Sequence, residues 1–415
     1  MCIRDRLSPM DLKNPKSSLS GNVPILKETK NWYLPMDKLQ GNIEKYIETK
    51  KDWKSNVIGQ CKSWLNDGLK PRAMTRDLDW GVSVPLKDAD GKVLYVWFDA
   101  PIGYITATKE LDSKNWEKYW KDKDTSLVHF IGKDNIVFHT IIFPMMLMEH
   151  GDYILPENVP ANEFMNLEGE KISTSRNWAV WLHEYLNDFP NMQDELRYCL
   201  ITNLPENKDS DFSWKDFQQK NNNELVAILG NYINRVFVLC DKFFDKKVPK
   251  RSDDSADNKV FYELDDLKGK VELSIQNFKF REAMSYVIDV ARLGNKYLTD
   301  TEPWKIFKDD PDRVKDIIHN SIQIVGNISI LCEPFLPFTS NKIRDHLNIS
   351  DLSWDDIGSS VMLPDHIISG KAHIFSKIED KTIEDQIKKL KLNNENDNVM
   401  PQKNTIESVS YTHLT

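Results

Sequence analysis

The sequence predicts an α/β unit followed by an all-α unit. From Arg76 to about Pro160 short β-rich runs alternate with helix starts, and from Trp214 to about Leu347 apolar residues recur at three- and four-residue spacings. The first pattern is that of a parallel sheet with crossover helices, the second that of a helix bundle. A third observation concerns chemistry. Tyr95-Val-Trp-Phe-Asp-Ala-Pro-Ile-Gly-Tyr104, Phe130-Ile-Gly-Lys-Asp134 and Lys171-Ile-Ser-Thr-Ser175 each stand where an apolar run gives way to Gly, Pro, Asp or Lys. Open α/β sheets bind nucleotides at such breaks, and three in order point to one nucleotide site assembled from distant loops.

Taken in order, residues 7–75 mix short runs such as Trp32-Tyr-Leu-Pro35 with an amphipathic segment, Lys51 to Leu69, that keeps Trp53, Val57, Cys61 and Trp64 on one helical stripe. Within 76–212, Val93 to Phe98 and Leu127 to Ile131 read as short strands of a parallel sheet, each followed by a helix start. Asp99 can cap the first of those helices and Pro101 suits its first turn. Within 213–352, Glu224 to Phe243, Phe278 to Leu298 and Ile317 to Phe338 read as helices of a bundle. In 353–408 the order fades to a charged tail, with Ile383, Ile387 and Leu390 on one stripe and Asn393 to Asn398 as a linker.

Composition bounds the function. At 415 residues, 40% hydrophobic and 29% charged, the chain is long enough for several domains and a sizeable core. A bilayer span needs roughly 18 or more consecutive apolar residues, and the longest apolar stretch, Ile136 to Met148, is broken by His139, Thr140 and Pro144. The first residues are charged and polar, so no signal peptide is expected and the location expected is cytoplasmic. The net charge of −9 does not announce a nucleic-acid protein, yet a local basic face can still hold a folded RNA. The five cysteines are scattered and form no C-x-x-C pair, which argues for reduced core thiols and against a disulfide framework or a metal knuckle; no metal ligands are assigned.

The candidate chemistry lies in the loops. A strand ending in Gly132-Lys133-Asp134 before a helix offers backbone N–H groups to an anion and a carboxylate to two ribose hydroxyls, or serves only as a turn with a capping Asp. Lys171 to Ser175 places a lysine beside small hydroxyl residues, which suits either a transferring triphosphate or a solvated surface loop. Trp97, Phe98, Tyr104 and His139 form an aromatic group that suits either a pocket for a thioether or another slim apolar side chain, or plain core aromatics with one satisfied histidine; Phe98 and Phe138 are expected in the core, and the resemblance given below places Trp97, Tyr104 and His139 in a pocket.

Arg76-Asp-Leu-Asp-Trp-Gly81, the Tyr95 to Tyr104 segment, Gly132-Lys-Asp-x-x-x-Phe-His139 and Asp211-Phe-Ser-Trp-Lys-Asp-Phe217, in that order, resemble the methionyl-tRNA synthetases, a family of class I synthetases. The resemblance covers nearly all of residues 7 to 405. It implies a remainder of a connective insertion over 7–75, the second half of a Rossmann-like parallel-sheet catalytic domain over 76–212, and an anticodon-binding helix bundle over 213–352. It implies activation of methionine by ATP with Mg2+ to methionyl-adenylate, then transfer to tRNA(Met). Residues matching Trp97, Ala100, Pro101, Tyr104 and His139 line the family's methionine pocket, and those matching Gly132 and Asp134 serve the adenosine. The stretch matching Lys171, Ile172, Ser173, Thr174 and Ser175 is its mobile ATP-handling loop, with Lys171 and Thr174 at the positions expected to act on the phosphates. Those matching Asn231, Arg235, Pro303 and Trp304 read the anticodon. Stacking plus polar groups for base edges is the physics expected for unpaired bases, although Trp304 could equally anchor an inter-helix turn.

The chain departs from the family pattern in three ways. Thr174 stands where the loop usually carries a second lysine, so Lys171, or Arg176 two residues on, is expected to carry more of the charge. Ala227 stands where an anticodon-facing asparagine is frequent. The family's His-Ile-Gly-His motif and zinc knuckle are expected upstream of Leu7, so zinc would belong to a longer protein, as would a C-terminal tRNA-binding domain and any homodimer made through it. Met1 to Arg6 and Val409 to His413 match translations of the two strands of one library-adapter DNA, so 1–6 and 409–415 are expected to be foreign to the fold. The expectation is an incomplete methionine–tRNA ligase, inactive by itself; the alternative is a non-catalytic tRNA-binding protein derived from a class I synthetase.

Overall fold

The computed structural model describes residues 14, 16, 21–23, 25, 28–252, 257–358 and 360–399, with backbone alone over 393–399. The adapter-like ends and Cys2 lie outside these residues. The chain forms two compact units that divide between Glu163 and Phe164.

In the first unit, β1 (Tyr33–Leu34) leads into α1 (Met36–Glu48) and α2 (Ser55–Asn66), after which β2 (Arg72–Ala73) returns antiparallel to β1. Val57 and Cys61 of α2 are fully buried beside Ile43, Val137 and Ile141, and Trp53 is buried just ahead of the helix. The predicted stripe therefore faces a core, with its helix starting two residues after Trp53. Next, β3 (Thr75–Asp77) pairs antiparallel with β4 (Lys92–Leu94).

Here the strand expected over Val93 to Phe98 is corrected. It ends at Leu94, it is antiparallel, and Val96–Asp99 is a helical turn, α3, leading through Pro101 to α4 (Ile102–Leu111). A short apolar run does not distinguish a strand from a turn of helix by period alone, and proline ahead of a helix commits the chain to turn. Asp99 sits inside α3, and no side chain caps α4.

After α5 (Trp116–Lys121), β5 (Ile131–Gly132) pairs parallel with β6 (Ala161–Asn162), with Val128 bridged to Asn158 in the same sense. Between those strands a wide turn with π-type bonding, Phe138–Ile142, runs into α6 (Phe143–His150) and buries five consecutive residues.

In the second unit, β7 (Met165–Leu167) turns back as β8 (Glu170–Lys171) through Glu168 and Gly169, both at positive φ, 50° and 80°. Helices α7 (Leu182–Asp188) and α8 (Gln193–Thr202) follow, then β9 (Ser210–Phe212), parallel to β7. Ser213 caps α9 (Trp214–Lys220) by accepting from the Asp216 N–H at 3.1 Å. A π-bonded stretch, Asn221–Gly230, continues into α10 (Asn231–Phe244), then α11 (Asn258–Gln276), α12 (Phe280–Thr301) and α13 (Pro303–Ile306). Helices α14 (Pro311–Leu331), α15 (Pro337–Leu347) and α16 (Asp380–Val399) close the unit.

The helix expected over Ile317 to Phe338 is two helices, because Pro334 and Pro337 interrupt the ladder. The tail is more ordered than its composition implies. Met362, Ile368, Ala372 and Phe375 are buried in the bundle core, and Ile378, Ile383 and Leu390 pack with Trp214 and Phe217. The expected linker over Asn393 to Asn398 is helical backbone within α16. Each Asn or Asp costs only about 0.7 kcal/mol of helix propensity, too little to stop a helix anchored upstream.

Among the described residues no helix is long and apolar enough to cross a membrane. Cys61, Cys199, Cys240 and Cys332 are free and buried.

Candidate active site and RNA-binding face

The first unit gathers aromatic side chains around His139. The Tyr104 hydroxyl, on α4, lies 2.9 Å from His139 Nε2, and His139 Nδ1 lies 2.9 Å from the Asn135 carbonyl oxygen. A carbonyl oxygen only accepts, so Nδ1 carries the proton; burial holds the ring below its usual pKa and hence neutral, which leaves Nε2 to accept from the tyrosine. The His129 ring stands 5.0 Å from that of His139 and 5.4 Å from that of Tyr104. Burial, and then His139, push His129 down to about 4, and its Nε2 is buried with no hydrogen-bond partner among the described residues.

Trp97 leans on Phe138 at 5.6 Å and lines a small pocket with Leu34, Met74, Tyr95, Phe98 and Arg72, whose guanidinium stands 5.2 Å from the centre of the Phe138 ring. Phe138 is in the core as expected, whereas Phe98 is only half-buried. Tyr104 and Trp97 remain 44% and 47% exposed, so this aromatic wall has an open side. Pro101 is buried behind it and Ala100 is exposed. Sequence reading named Tyr104, His139 and Trp97; the fold sets Tyr104 against His139 and Trp97 against the adjoining Phe138. It missed His129, whose only signal was a histidine inside the Leu127 to Ile131 strand run.

Gly132 ends β5, and the Asp134 side chain folds back over it: a Cβ on Gly132 would lie 2.8 Å from Asp134 Oδ1. A larger residue there would push the Asp134 carboxylate out of this position. Lys133 is ion-paired to Glu163 at 2.8 Å.

In the second unit, Lys171 to Ser175 forms a tight loop. Ser173 and Trp178 exchange backbone hydrogen bonds of 3.0 and 2.9 Å, a short helical turn runs over Thr174–Arg176, and Asn177 closes it at φ 51°. Trp178 is buried and donates to the Leu167 carbonyl at 3.0 Å, which nails the loop base to β7. Lys171, Ile172, Thr174 and Ser175 are exposed and Ser173 is half-buried, its hydroxyl 3.2 Å from that of Ser175. The loop thus offers Lys171 to solvent on a rigid base. Arg176 bonds instead to the Lys171 carbonyl at 3.3 Å, with Glu170 at 3.8 Å.

In the bundle, the Arg235 guanidinium stands 5.5 Å from the centre of the Trp304 ring, and its Nη1 donates to Asn295 Oδ1 at 3.1 Å. Pro303 is buried at the start of α13 and Trp304 is 40% exposed. Asn231, one turn before Arg235, is exposed. Of the predicted residues, Arg235 and Trp304 therefore stand together, a cation beside an aromatic ring. Asn295 was not named from sequence; a lone asparagine after Gly294 in an otherwise amphipathic helix was the available signal.

A family model for class I tRNA synthetases (M) matches residues 2–237, more than half of the chain, and one for the anticodon binding domain of methionyl tRNA ligase matches 248–394. The chain belongs to the class I tRNA synthetase (M) family. Methionine–tRNA ligase of Phocaeicola vulgatus is 57% identical over 387 residues, covering 92% of this chain and 57% of the relative. That of Cytophaga hutchinsonii is 56% identical over 397 residues, covering 92% and 58%. The chain thus spans a little over half the length of these relatives. Among solved structures, apo Mycobacterium tuberculosis methionyl-tRNA synthetase superposes with a TM-score of 0.75 at 21% identity, over 88% of this chain and 72% of that one. The same synthetase with methionyl-adenylate gives 0.75 at 24% identity, over 87% and 71%. The synthetase fold, an α/β part followed by a helical part, is thereby shared.

Proposed function

We propose that this chain supplies the amino-acid wall, the lysine loop and the anticodon face of a methionine–tRNA ligase. The observation that carries the reading is the neutral Tyr104–His139 pair, next in sequence to the Phe138 ring that Trp97 leans on, with Trp97 and Tyr104 both open to solvent. Aromatic faces favour a thioether, and a histidine held neutral avoids the desolvation that a charged ring would impose on an apolar side chain. Ala100 and Pro101 border this wall, small enough to leave room for a slim substrate.

Activation joins the methionine carboxylate to the α-phosphorus of ATP and releases pyrophosphate; no covalent enzyme intermediate is required. Catalysis rests on positioning and charge stabilisation. Gly132 and Asp134 would serve the adenosine, the glycine by close backbone approach and the aspartate by accepting from ribose hydroxyls. Exposed Lys171 and the hydroxyls of Ser173, Thr174 and Ser175 would meet the phosphates, with Mg2+ entering as the counter-ion of ATP. Among the described residues no group of three or more His, Cys, Asp or Glu side chains is placed to hold a metal, so zinc is given no residues and no step here. The acyl group then passes to tRNA, whose anticodon Asn231, Arg235, Pro303 and Trp304 would read. The boundaries at 76, 213 and 353, a cytoplasmic location and a homodimer are carried over from the family as part of the same proposal.

The test is methionine-dependent ATP–pyrophosphate exchange by the complete gene product, followed by charging of tRNA(Met). Exchange with leucine, isoleucine or valine but not methionine would overturn the reading. RNA binding with no exchange would favour a non-catalytic tRNA-binding protein.

A further inference from the structure

The side chain that anchors Arg235 is not one of those predicted to touch RNA. Asn295 of α12 uses three hydrogen bonds. Its Nδ2 donates to the Ile228 carbonyl at 3.0 Å and to the Ala291 carbonyl at 3.1 Å, and its Oδ1 accepts from Arg235 at 3.1 Å. The two donations come from the same amide nitrogen and fix which way the amide faces, so the oxygen can only point at Arg235. Ile228 lies in the π-bonded stretch that feeds α10, so this amide ties that stretch to α12.

The adjoining residue fixes the register. A Cβ on Gly294 would fall 2.2 Å from Cζ of Tyr232, so Tyr232 of α10 lies directly on the α12 backbone. The Tyr232 hydroxyl donates to the Ser321 carbonyl at 3.0 Å in α14. Three helices are therefore locked one residue away from Asn295 and three residues away from Arg235.

We infer that Asn295 is a positioning residue for anticodon recognition, holding the Arg235 guanidinium beside Trp304 with its remaining N–H groups available for a base edge. This rests on the proposed role of Arg235 and goes beyond it by naming what aims that side chain. A guanidinium has five N–H donors in a rigid fork, so one anchored donor sets the direction of the others. Without the anchor, Arg235 keeps its charge and loses its preferred direction, so selectivity for the base falls along with affinity.

The experiment is fluorescence anisotropy of a labelled stem-loop RNA carrying the anticodon CAU, titrated with this chain, with a UAU stem-loop as competitor. Arg235→Ala, Asn295→Ala and the double variant are compared. Asn295→Ser is a second probe, too short to reach Arg235 but able to bond the Ala291 carbonyl within its own helix. The expected result is a loss of about tenfold in affinity for Arg235→Ala and for each Asn295 variant, of the size associated with one hydrogen bond to a charged group. The preference for CAU over UAU is lost in each, and the double variant is no weaker than Arg235→Ala. If Arg235→Ala weakens binding while the Asn295 variants do not, or if the losses add, the positioning role is overturned and the anticodon reading stands. If Arg235→Ala itself changes nothing, the anticodon reading of this face fails, and the role of Asn295 fails with it.

Discussion

The Tyr104 hydroxyl donates to His139 Nε2 while His139 Nδ1–H is held by the Asn135 carbonyl, so one histidine has both nitrogens committed by parts of the chain 35 and 4 residues away. The tyrosine proton therefore points at the histidine. Tyr104→Phe leaves His139 Nε2 without its donor, a loss of roughly 1–3 kcal/mol for a buried polar atom. The expected outcome is a rise of about tenfold in KM for methionine in ATP–pyrophosphate exchange by the complete gene product, with a smaller change in kcat. An unchanged KM would remove this pair from the substrate wall.

His129 makes the first unit sensitive to acid. Its folded value of about 4 lies below the ordinary 6.5, so between the two the unfolded chain binds more protons than the folded one, and stability falls as pH drops through that window. It is fully present above about 6.5. The size is on the order of 3 kcal/mol from the shift. His129→Phe is expected to flatten the pH dependence of unfolding between about 6.5 and 4, measured by urea titration at several pH values; a variant that loses stability with acid as steeply as the parent would contradict this.

Glu195 on α8 gives the opposite slope. It is 6% exposed, and burial pushes its carboxyl from 4.5 to about 7, so between those values the folded chain holds the proton that the unfolded chain releases. Stability is then greatest at or below about 4.5 and declines as pH rises towards 7. Glu195→Gln mimics the protonated form and should raise the unfolding midpoint at pH 7 and above, with little change at pH 4.5. Calorimetric melts at the two pH values decide it.

Gly294→Ala should destabilise the bundle. The new methyl would meet the Tyr232 ring at 2.2 Å, and that tyrosine is fully buried and held to Ser321, so neither partner can swing away. Overpacking of this kind costs typically 1–3 kcal/mol. A urea midpoint within error of the parent would show that α10 and α12 can slide apart.

Lys171 is the exposed lysine of its loop, whereas Arg176 is turned onto the Lys171 carbonyl and Glu170. Lys171→Ala is therefore expected to lower kcat for pyrophosphate exchange by about a hundredfold, the scale of losing one group that stabilises transition-state charge. Thr174→Lys, which restores a second cation, should raise kcat or leave it unchanged. A fall for Thr174→Lys would mean that the short turn over Thr174–Arg176 needs the smaller side chain.

Much of this was legible in the sequence, for identifiable reasons. Helices with strong three- and four-residue patterns, Glu224 to Phe243 and Phe278 to Leu298, lie close to where they were read, since amphipathic periodicity follows directly from burial of one face. Trp97, Tyr104 and His139 were singled out through the family resemblance, since an aromatic cluster at the end of an apolar run serves a core as readily as a pocket. The turn at Val96–Asp99, the break between α14 and α15 and the helical Asn393 to Asn398 were not legible. In each, local composition was compatible with two backbone states differing by about 1 kcal/mol per residue, and distant packing chose between them.

By itself the sequence determined the order of an α/β part and a helical part, and through its motifs the family to which the chain belongs. Tertiary structure alone decided which nitrogen of His139 carries its proton, why His129 stays neutral, and that Asn295 aims Arg235. These depend on hydrogen-bond geometry and desolvation between residues up to 67 positions apart, as for Asn295 and Ile228. Such terms arise only when the chain closes on itself, and no local pattern encodes them.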